Sequence, residues 1–322
     1  MTRAYGKYTL RMLTIIVPCH NEELSVTSTI HEVRDNFSNE LIESFIVVDN
    51  NSDDATRLFA EECGVKVVSE PTLGKGQAFR RGMTQIGTKS KAVFMIDGDN
   101  TYSASAMDLA YSMVTEEGYD MVIGIRREVD SHSYRPGHRF GNWFLTRFHK
   151  YVLGSDVKDS LSGWRMMSRG FVLSYSADAT RFELETALNA HAAKLKSNVG
   201  FVEIDYKGRP LGSHSKLKTF RDGARIIARS LDYWRREKPF KAYSFYALPW
   251  FLICLTLLYR VLQDYLITGL VPKIPSLIVS VGFFVIATNL WVAGIILQRT
   301  LIIRTELSRY IFLEESRRNS LN

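Results

Sequence analysis

The sequence predicts an α/β protein: a mostly parallel sheet covered by helices on both faces, followed by a two-helix membrane hairpin. Three observations predict it. Between positions 12 and 127, apolar runs alternate with helix-patterned stretches about every 20 to 25 residues. The apolar runs are continuous rather than alternating, as in strands buried on both sides of a parallel sheet. Beyond position 243 the chain turns strongly apolar, and one run of 22 residues, 276–297, carries no charge; about 20 apolar residues span a bilayer.

The elements follow in order. "MLTIIVP" (12–18) reads as a buried strand, and 22–37 as a helix with apolar Leu24, Val26, Ile30, Val33 and Phe37. "FIVVD" is a second strand, "ATRLFAEECG" a helix stopped by Gly64, and "VKVVSE" a third strand. "GKGQAFRRGMTQI" turns through glycines into a helix, and "KAVFMIDGD" is a fourth strand. "SASAMDLAYSMVTEEG" is a helix and "DMVIGIR" a strand. "HSYRPGHRFGNWFLTRFHKYVLG" reads as a basic, aromatic amphipathic helix, and "RFELETALNAHAAKLK" as a helix. "GFVEIDYKGRP" is a strand expected at the sheet edge, "LGSHSKLKTFRDG" a polar loop, and "ARIIARSLDYWRREK" a basic amphipathic helix. The domains expected are a cytosolic catalytic domain (1–220), a basic interface helix (221–243), two transmembrane helices (244–298, about 245–263 and 276–297) and a basic tail (299–322). The hairpin loop between the spans is about a dozen residues.

The net charge of +7 invites a nucleic-acid reading. Yet the basic residues crowd the outer flanks of the apolar pair: Arg229, Arg235, Arg236, Lys238 and Lys241 before it, Arg299, Arg304, Arg309, Arg317 and Arg318 after it. That distribution suits the cytosolic face of an anionic bilayer and puts both outer ends in the cytosol, with no nucleic-acid partner. The first apolar run is too short for a signal peptide, so the bulk of the chain is expected in the cytosol. Three well-separated cysteines and seven scattered histidines exclude a disulfide framework and a zinc motif. A metal, if used, is a hard ion on carboxylates.

Ligands of doubly covered parallel sheets bind beyond the carboxyl ends of the strands, and four polar turns lie there. "DGD" places Asp97 and Asp99 around Gly98. Alternate residues of an extended chain point to opposite sides, so two such carboxylates share one cation only if the chain turns, and Gly98 permits a turn. "VPCHNEE" ends the first strand with Pro18, Asn21 and Glu22. Its acidic groups suit ribose hydroxyls or base N–H groups, or else serve a helix's first turn. "VDNNSDDAT" offers Asp49 and Asn50 to a nucleobase edge, with Asp53 or Asp54 as a helix N-cap. In "LGKGQAFRRG" no Walker pattern exists, but Lys75 stands near a helix N-terminus where a phosphate can bind.

Taken in order, "VPCHNEE", "VVDNNSDDAT", "GKGQAFRRGM", "DGDNTYSA", "DMVIGIR", "DSLSGWRM" and "SKLKTFRDG" resemble the family-2 glycosyltransferases of GT-A (Rossmann-like) fold, over about residues 12–235. Within them the chain is similar to the polyprenyl-phosphate (dolichyl- or undecaprenyl-phosphate) sugar synthases that carry two C-terminal membrane helices. The resemblance implies that Asp97 and Asp99 bind Mg²⁺ or Mn²⁺ on the diphosphate of a UDP- or GDP-sugar. It implies that Pro18, Glu22, Asp49 and Lys75 line the nucleotide site and that Arg126 faces the diphosphate. Arg209 and Lys216 would face the donor and acceptor phosphates, although the loop between them is longer than is usual. "VDNNS" departs from the commoner "VDDGS", which bears on base contacts at Asn50 and Asn51. Ser162, Gly163 and Arg165 would close the acceptor side, with Trp164 structural. The implied setting is the cytosolic face of the inner membrane, and homo-tetramers occur among the resembling enzymes.

A lipid phosphate is already an anion near pH 7, so attack on the anomeric carbon needs no protein base. A metal with Arg126, Arg209 and Lys216 would neutralise donor and acceptor, and in-line attack would invert the anomeric centre. The rival reading is a membrane-tethered family-2 enzyme acting on a saccharide or lipopolysaccharide hydroxyl, which needs a base. Glu183 and Glu185 are the candidates for that base; the simpler expectation is that both are helix-surface carboxylates. A non-catalytic scaffold that kept the fold is the third reading.

Overall fold

Strand β1 (Leu13–Cys19) is buried at all seven positions, and its alternating side chains build two cores. Leu13, Ile15, Val17 and Cys19 join Val26, Ile30 and Val33 of α1 (Val26–Asn36) and Met107, Ala110 and Val114 of α4 (Met107–Thr115) on one face. Ile16 points to the other face and packs with Ala78 and Phe79 of α3 (Lys75–Met83) and Leu184 and Leu188 of α6 (Leu184–Leu195). Both faces are covered, so no polar residue is wanted on either, and a continuous apolar run results.

The structure is a computed structural model that describes residues 12–128, 159, 162–175, 184–207 and 234–321. Among these, β2 (Ile42–Asp49), β3 (Lys66–Ser69), β4 (Ala92–Met95), β5 (Met121–Glu128), β6 (Arg165–Ser168) and β7 (Val199–Tyr206) join β1 in one sheet, ordered β3-β2-β1-β4-β6-β5-β7. β1 pairs in parallel with β2 and β4, β2 with β3, and β5 with β7, which lies at the edge as expected. Helix α2 (Thr56–Glu62) connects β2 to β3, and the short α5 (Arg169–Leu173) follows β6. The first helix begins at Val26, not at 22, because residues 21–25 form the turn described below.

β6 is absent from the sequence-based expectation. It is antiparallel to both β4 and β5 and separates them. At four residues it is too short to show a period, and its Arg165 interrupts the apolar pattern.

Contacts divide the chain into two compact units, Met1–Lys216 with Leu307–Asn322, and Leu217–Glu306. The second holds α7 (Pro239–Thr268) and the 274–306 part of α8 (Ile274–Leu321), and both helices are long and apolar enough to cross a membrane. Large apolar side chains stand open on them, Leu266 at 74% and Ile267 at 82%. Trp250 stacks on Phe283 at 5.6 Å. A Cβ at Gly294 would meet Tyr243 at 2.9 Å, so glycine lets the helices approach there. Gly269, at φ +70°, closes α7 with its N–H on Tyr265 O at 2.8 Å. The connection is therefore 269–273, shorter than the expected dozen residues. α8 does not stop at the end of the apolar run but continues through the stretch expected as a tail.

In the first unit, the C-terminal turns of α8 pack on the sheet's second face. Phe312 joins the core cluster of Phe171 and Val172. Arg169 Nε lies 3.5 Å from Glu315 Oε2, and a Cβ on Gly170 would come within 3.1 Å of Ser316 Oγ.

Candidate functional site

The strand order reverses at β1: β2 and β3 extend to one side of it, and β4 lies on the other. This is the topological switch point, where open α/β sheets bind ligands. Cys19 ends β1 there, nearly buried. Burial, and then the surrounding carboxylates of Glu22, Asp49, Asp97 and Asp99, push its thiol well above the ordinary value. Three of the expected turns therefore converge around one side chain.

Pro18 sits in β1 beside Val48 of β2, but β4 pairs only with Leu13–Ile16. Its missing N–H falls past the end of β4, so a central strand tolerates it. Three asparagines, Asn21, Asn51 and Asn100, take left-handed backbone (φ +55°, +58°, +53°) just after β1, β2 and the DGD turn. Gly98 is not left-handed; the turn expected there is made at Asn100. Glycine is needed at 98 because a Cβ would overlap Cys19 Sγ.

The first two turns are laced together. Asn21 N–H donates to Ser52 Oγ at 3.1 Å and its Oδ1 accepts from Asp53 N–H at 3.0 Å. Glu22 N–H donates to Thr56 Oγ1 at 2.7 Å, and Ser25 Oγ donates to Glu22 Oε2 at 3.0 Å. Asp54 accepts from the N–H groups of Glu23 and Thr56, one residue ahead of the formal cap. Asp49, buried, accepts from Ser52 N–H at 3.1 Å. Asn50 was expected to meet a base. Instead its amide donates to Glu70 O (3.1 Å) and Thr72 O (2.7 Å) and accepts from Gly74 N–H (2.7 Å). Both its donors are spent on clamping the glycine turn, where Gly74 stands at φ +140°.

That clamp aims Lys75. Its ammonium lies between Asp97 Oδ1 and Glu185 Oε1, paired with both. Side-chain exposure falls from Lys75 (31%) and Asp97 (24%) to Glu185 (8%). Glu185 is thus no surface carboxylate, contrary to expectation. Burial works against the Lys75 charge, yet the two carboxylates hold it well above the ordinary ammonium range. Burial, Glu185 and Asp99 push Asp97 up while Lys75 opposes them. Glu185 moves down despite burial, held by Lys75, its own backbone N–H and Arg165.

Gly163 forms the floor: a Cβ there would overlap the Asp97 carboxylate. Its N–H donates to Tyr102 Oη at 3.1 Å. Burial and the Asp97 charge push that phenol far up, so it stays protonated. Asp99, largely buried, accepts from the hydroxyl (2.6 Å) and N–H (3.2 Å) of Thr101.

Arg126, on β5, forms a fork with Asp159: Nε to Oδ2 at 2.8 Å and Nη2 to Oδ1 at 2.9 Å. Its guanidinium also lies 5.4 Å from the Tyr206 ring centre. Burial opposes its charge, but Asp159 holds it charged. Two of five N–H donors are used by that fork. Ser162 and Arg165, expected on the acceptor side, are both fully buried. Arg165 reaches Ser162 O (3.1 Å) and Asn189 Oδ1 (2.7 Å), behind Glu185; burial pulls it down to about 10. Trp164 is fully buried edge-on to Phe94, a packing role as expected. Arg209, Lys216 and Glu183 lie outside the described residues. The residues that sequence reasoning missed are Asp159 and Tyr102. The first opens the "DSLSGWRM" motif, 33 positions beyond the Arg of "GIR". The second follows DGD by three positions, with no signal beyond that.

Asp97 and Asp99 offer oxygen donors only, the set a hard divalent cation takes, and Mg²⁺ is usually held by one or two carboxylates plus phosphate oxygens. Among the described residues no group of three or more His, Cys, Asp or Glu is arranged to hold a metal alone. A phosphate-bearing ligand would complete the shell.

Comparison with known proteins places these features. Residues 14–174 match the sequence model of Glycosyl transferase family 2. The glycosyltransferase AglJ of Haloferax volcanii is 34% identical over 229 residues, covering 70% of this chain and 71% of that protein. The dolichyl-phosphate hexose transferase of the same organism is 26% identical over 221 residues, covering 68% of this chain and 92% of that protein. In fold, the chain is similar to glucosyl-3-phosphoglycerate synthase from Mycobacterium tuberculosis, crystallised with Mn²⁺, UDP and phosphoglyceric acid. That likeness has a TM-score of 0.52 at 22% identity, over 70% of this chain and 78% of that one.

Proposed function

The chain belongs to glycosyl transferase family 2, and on that premise we propose that it transfers a sugar from a nucleoside-diphosphate donor to a polyprenyl phosphate at the cytosolic face of a membrane. One observation carries the reading: Asp97 and Asp99 stand at the switch point of the sheet in a chain that continues into two apolar helices. The dolichyl-phosphate hexose transferase is a relative that acts, by its name, on a lipid phosphate.

An oxygen of the lipid phosphate attacks the anomeric carbon. The bond from that carbon to the donor diphosphate breaks, and the diphosphate leaves with the electron pair. In-line geometry inverts the centre. No proton has to be removed, so no general base is required; the burial of Glu185 behind Lys75 supports that. A Mg²⁺ or Mn²⁺ ion on Asp97 and Asp99 would offset the charge of the leaving diphosphate. Asp159 fixes the Arg126 guanidinium on the β5 side, where its further donors can meet phosphate oxygens. The proposed roles of Arg209 and Lys216 are to neutralise donor and acceptor phosphates. The flanking Lys and Arg residues support a cytosolic location for both ends of the α7–α8 hairpin.

The test is a donor panel. Membranes carrying the protein are given polyprenyl phosphate, Mn²⁺ and a series of UDP- and GDP-sugars, and lipid products are identified by mass. One donor is expected to yield a sugar-phosphate lipid, and Asp99→Ala to lower its formation by roughly 10²-fold or more. Transfer to a saccharide hydroxyl with no glycolipid from any donor would replace this reading.

A further inference from the structure

Glu185 occupies a place neither expected role explains. A base must present its carboxylate to the acceptor. Glu185 has 8% of its side chain exposed, and Oε1 is engaged by the Lys75 ammonium. Its surroundings set the charges in a row: Asp97 and Lys75 at the crevice, then Glu185, and then the fully buried Arg165. Arg165 is itself tied to Ser162 O and Asn189 Oδ1, so the inner end of the row is fixed. At the outer end, Gly163 lies flat beneath the Asp97 carboxylate.

Lys75 alone would be a poor neighbour for a metal ligand. An ammonium beside Asp97 steadies that carboxylate but cancels the charge that would attract a divalent cation. With Asp97, Asp99 and Lys75 the net charge is −1; Glu185 makes it −2. We propose that Glu185 is a positioning residue for the metal-dependent reaction: it anchors the Lys75 ammonium against Asp97 and offsets its charge, so Asp97 is oriented without loss of cation affinity. This rests on the metal-dependent reading above. Glu185 touches neither sugar nor metal; it acts through Lys75.

The charge arithmetic supplies the test. Glu185→Gln drops the cluster to −1. Lys75→Met with Glu185→Gln returns it to −2. MnCl₂ is titrated into the purified full-length chain, with and without UDP, and free Mn²⁺ is read by its EPR signal. Glu185→Gln is expected to weaken Mn²⁺ binding about tenfold, a modest result for one unit charge close to the ion. The double variant is expected to recover to within about threefold of the wild type. It removes the Lys75 charge together with that of Glu185, and Arg165 keeps its acceptors on Ser162 and Asn189, so it reports even if the single variant does not fold. Wild-type affinity in Glu185→Gln, or a double variant as weak as or weaker than the tenfold loss, overturns the positioning role while leaving metal dependence intact. No Mn²⁺ binding by the wild type under either condition overturns the metal-dependent reading as well. A base would lower turnover and leave Mn²⁺ binding unchanged in both variants.

Discussion

Gly163 shows how one missing methyl group shapes the crevice. Asp97 lies where a Cβ would be, and the Gly163 N–H is fixed on Tyr102. Gly163→Ala is expected to fold and to lose transfer activity by roughly 10²-fold, because a displacement of about 1 Å at a reacting centre costs that much. Thermal unfolding and a transfer assay on the same preparation check both halves; an active alanine variant would show that the Asp97 position is not critical. His191 carries a pH dependence. It is buried, with Nε2 2.9 Å from Ser174 Oγ and its ring edge-on to Phe171 and Tyr175. Burial lowers its pKa from 6.5 to about 4. As pH falls below about 6.5 the unfolded chain takes up a proton that the folded chain refuses until about 4, so folding stability declines across that window and not above it. The full effect is about 3 kcal/mol. Melting temperatures of wild type and His191→Gln between pH 7 and 4.5 are expected to converge as pH falls; parallel curves would contradict it.

At the scale of elements, the strands that were legible are those whose physics is local. β4, the Phe45–Val48 part of β2 and, apart from Thr14, β1 are apolar runs because both faces are covered, and the turns after them lie where ligands of such sheets bind. β6 was not legible: its partners are β4 and β5, far away in sequence, and the buried Arg165 is held by acceptors on Asn189 and Ser162 that its own neighbourhood in sequence does not announce. The partners of Asn50 and Glu185 were hidden for the same reason. Nothing near Asn50 in sequence announces that Gly74 will take its carbonyl oxygen, and nothing near Glu185 announces Lys75. The extent of α8 was hidden too, since the charged stretch after Leu297 looks like solvated tail until Phe312 finds the core around Phe171. Phe312→Ala is expected to cost the catalytic unit roughly 2 kcal/mol, about half the loss for a fully buried phenylalanine. Chemical denaturation followed by a signal from that unit measures it; no change would mean that the helix end is not part of that core.

For the whole molecule, the two compact units divide the labour the sequence composition foreshadows. One holds the acid-rich crevice of the sheet, and the other presents exposed Leu, Ile and Phe on two long helices, a surface that water does not tolerate at that size. The protein is therefore expected in the membrane fraction after alkaline carbonate washing, and release by carbonate would contradict the proposed spans. On the proposed reading the acceptor is a lipid phosphate, and the acceptor itself tests that reading most directly. Purified protein in detergent, given Mn²⁺ and its sugar donor, is offered either polyprenyl phosphate or the same polyprenol without phosphate, and products are weighed by mass spectrometry. The account predicts a mass increment of one sugar on the phosphate lipid and none on the alcohol; glycosylation of the alcohol, or no lipid product at all, would contradict it.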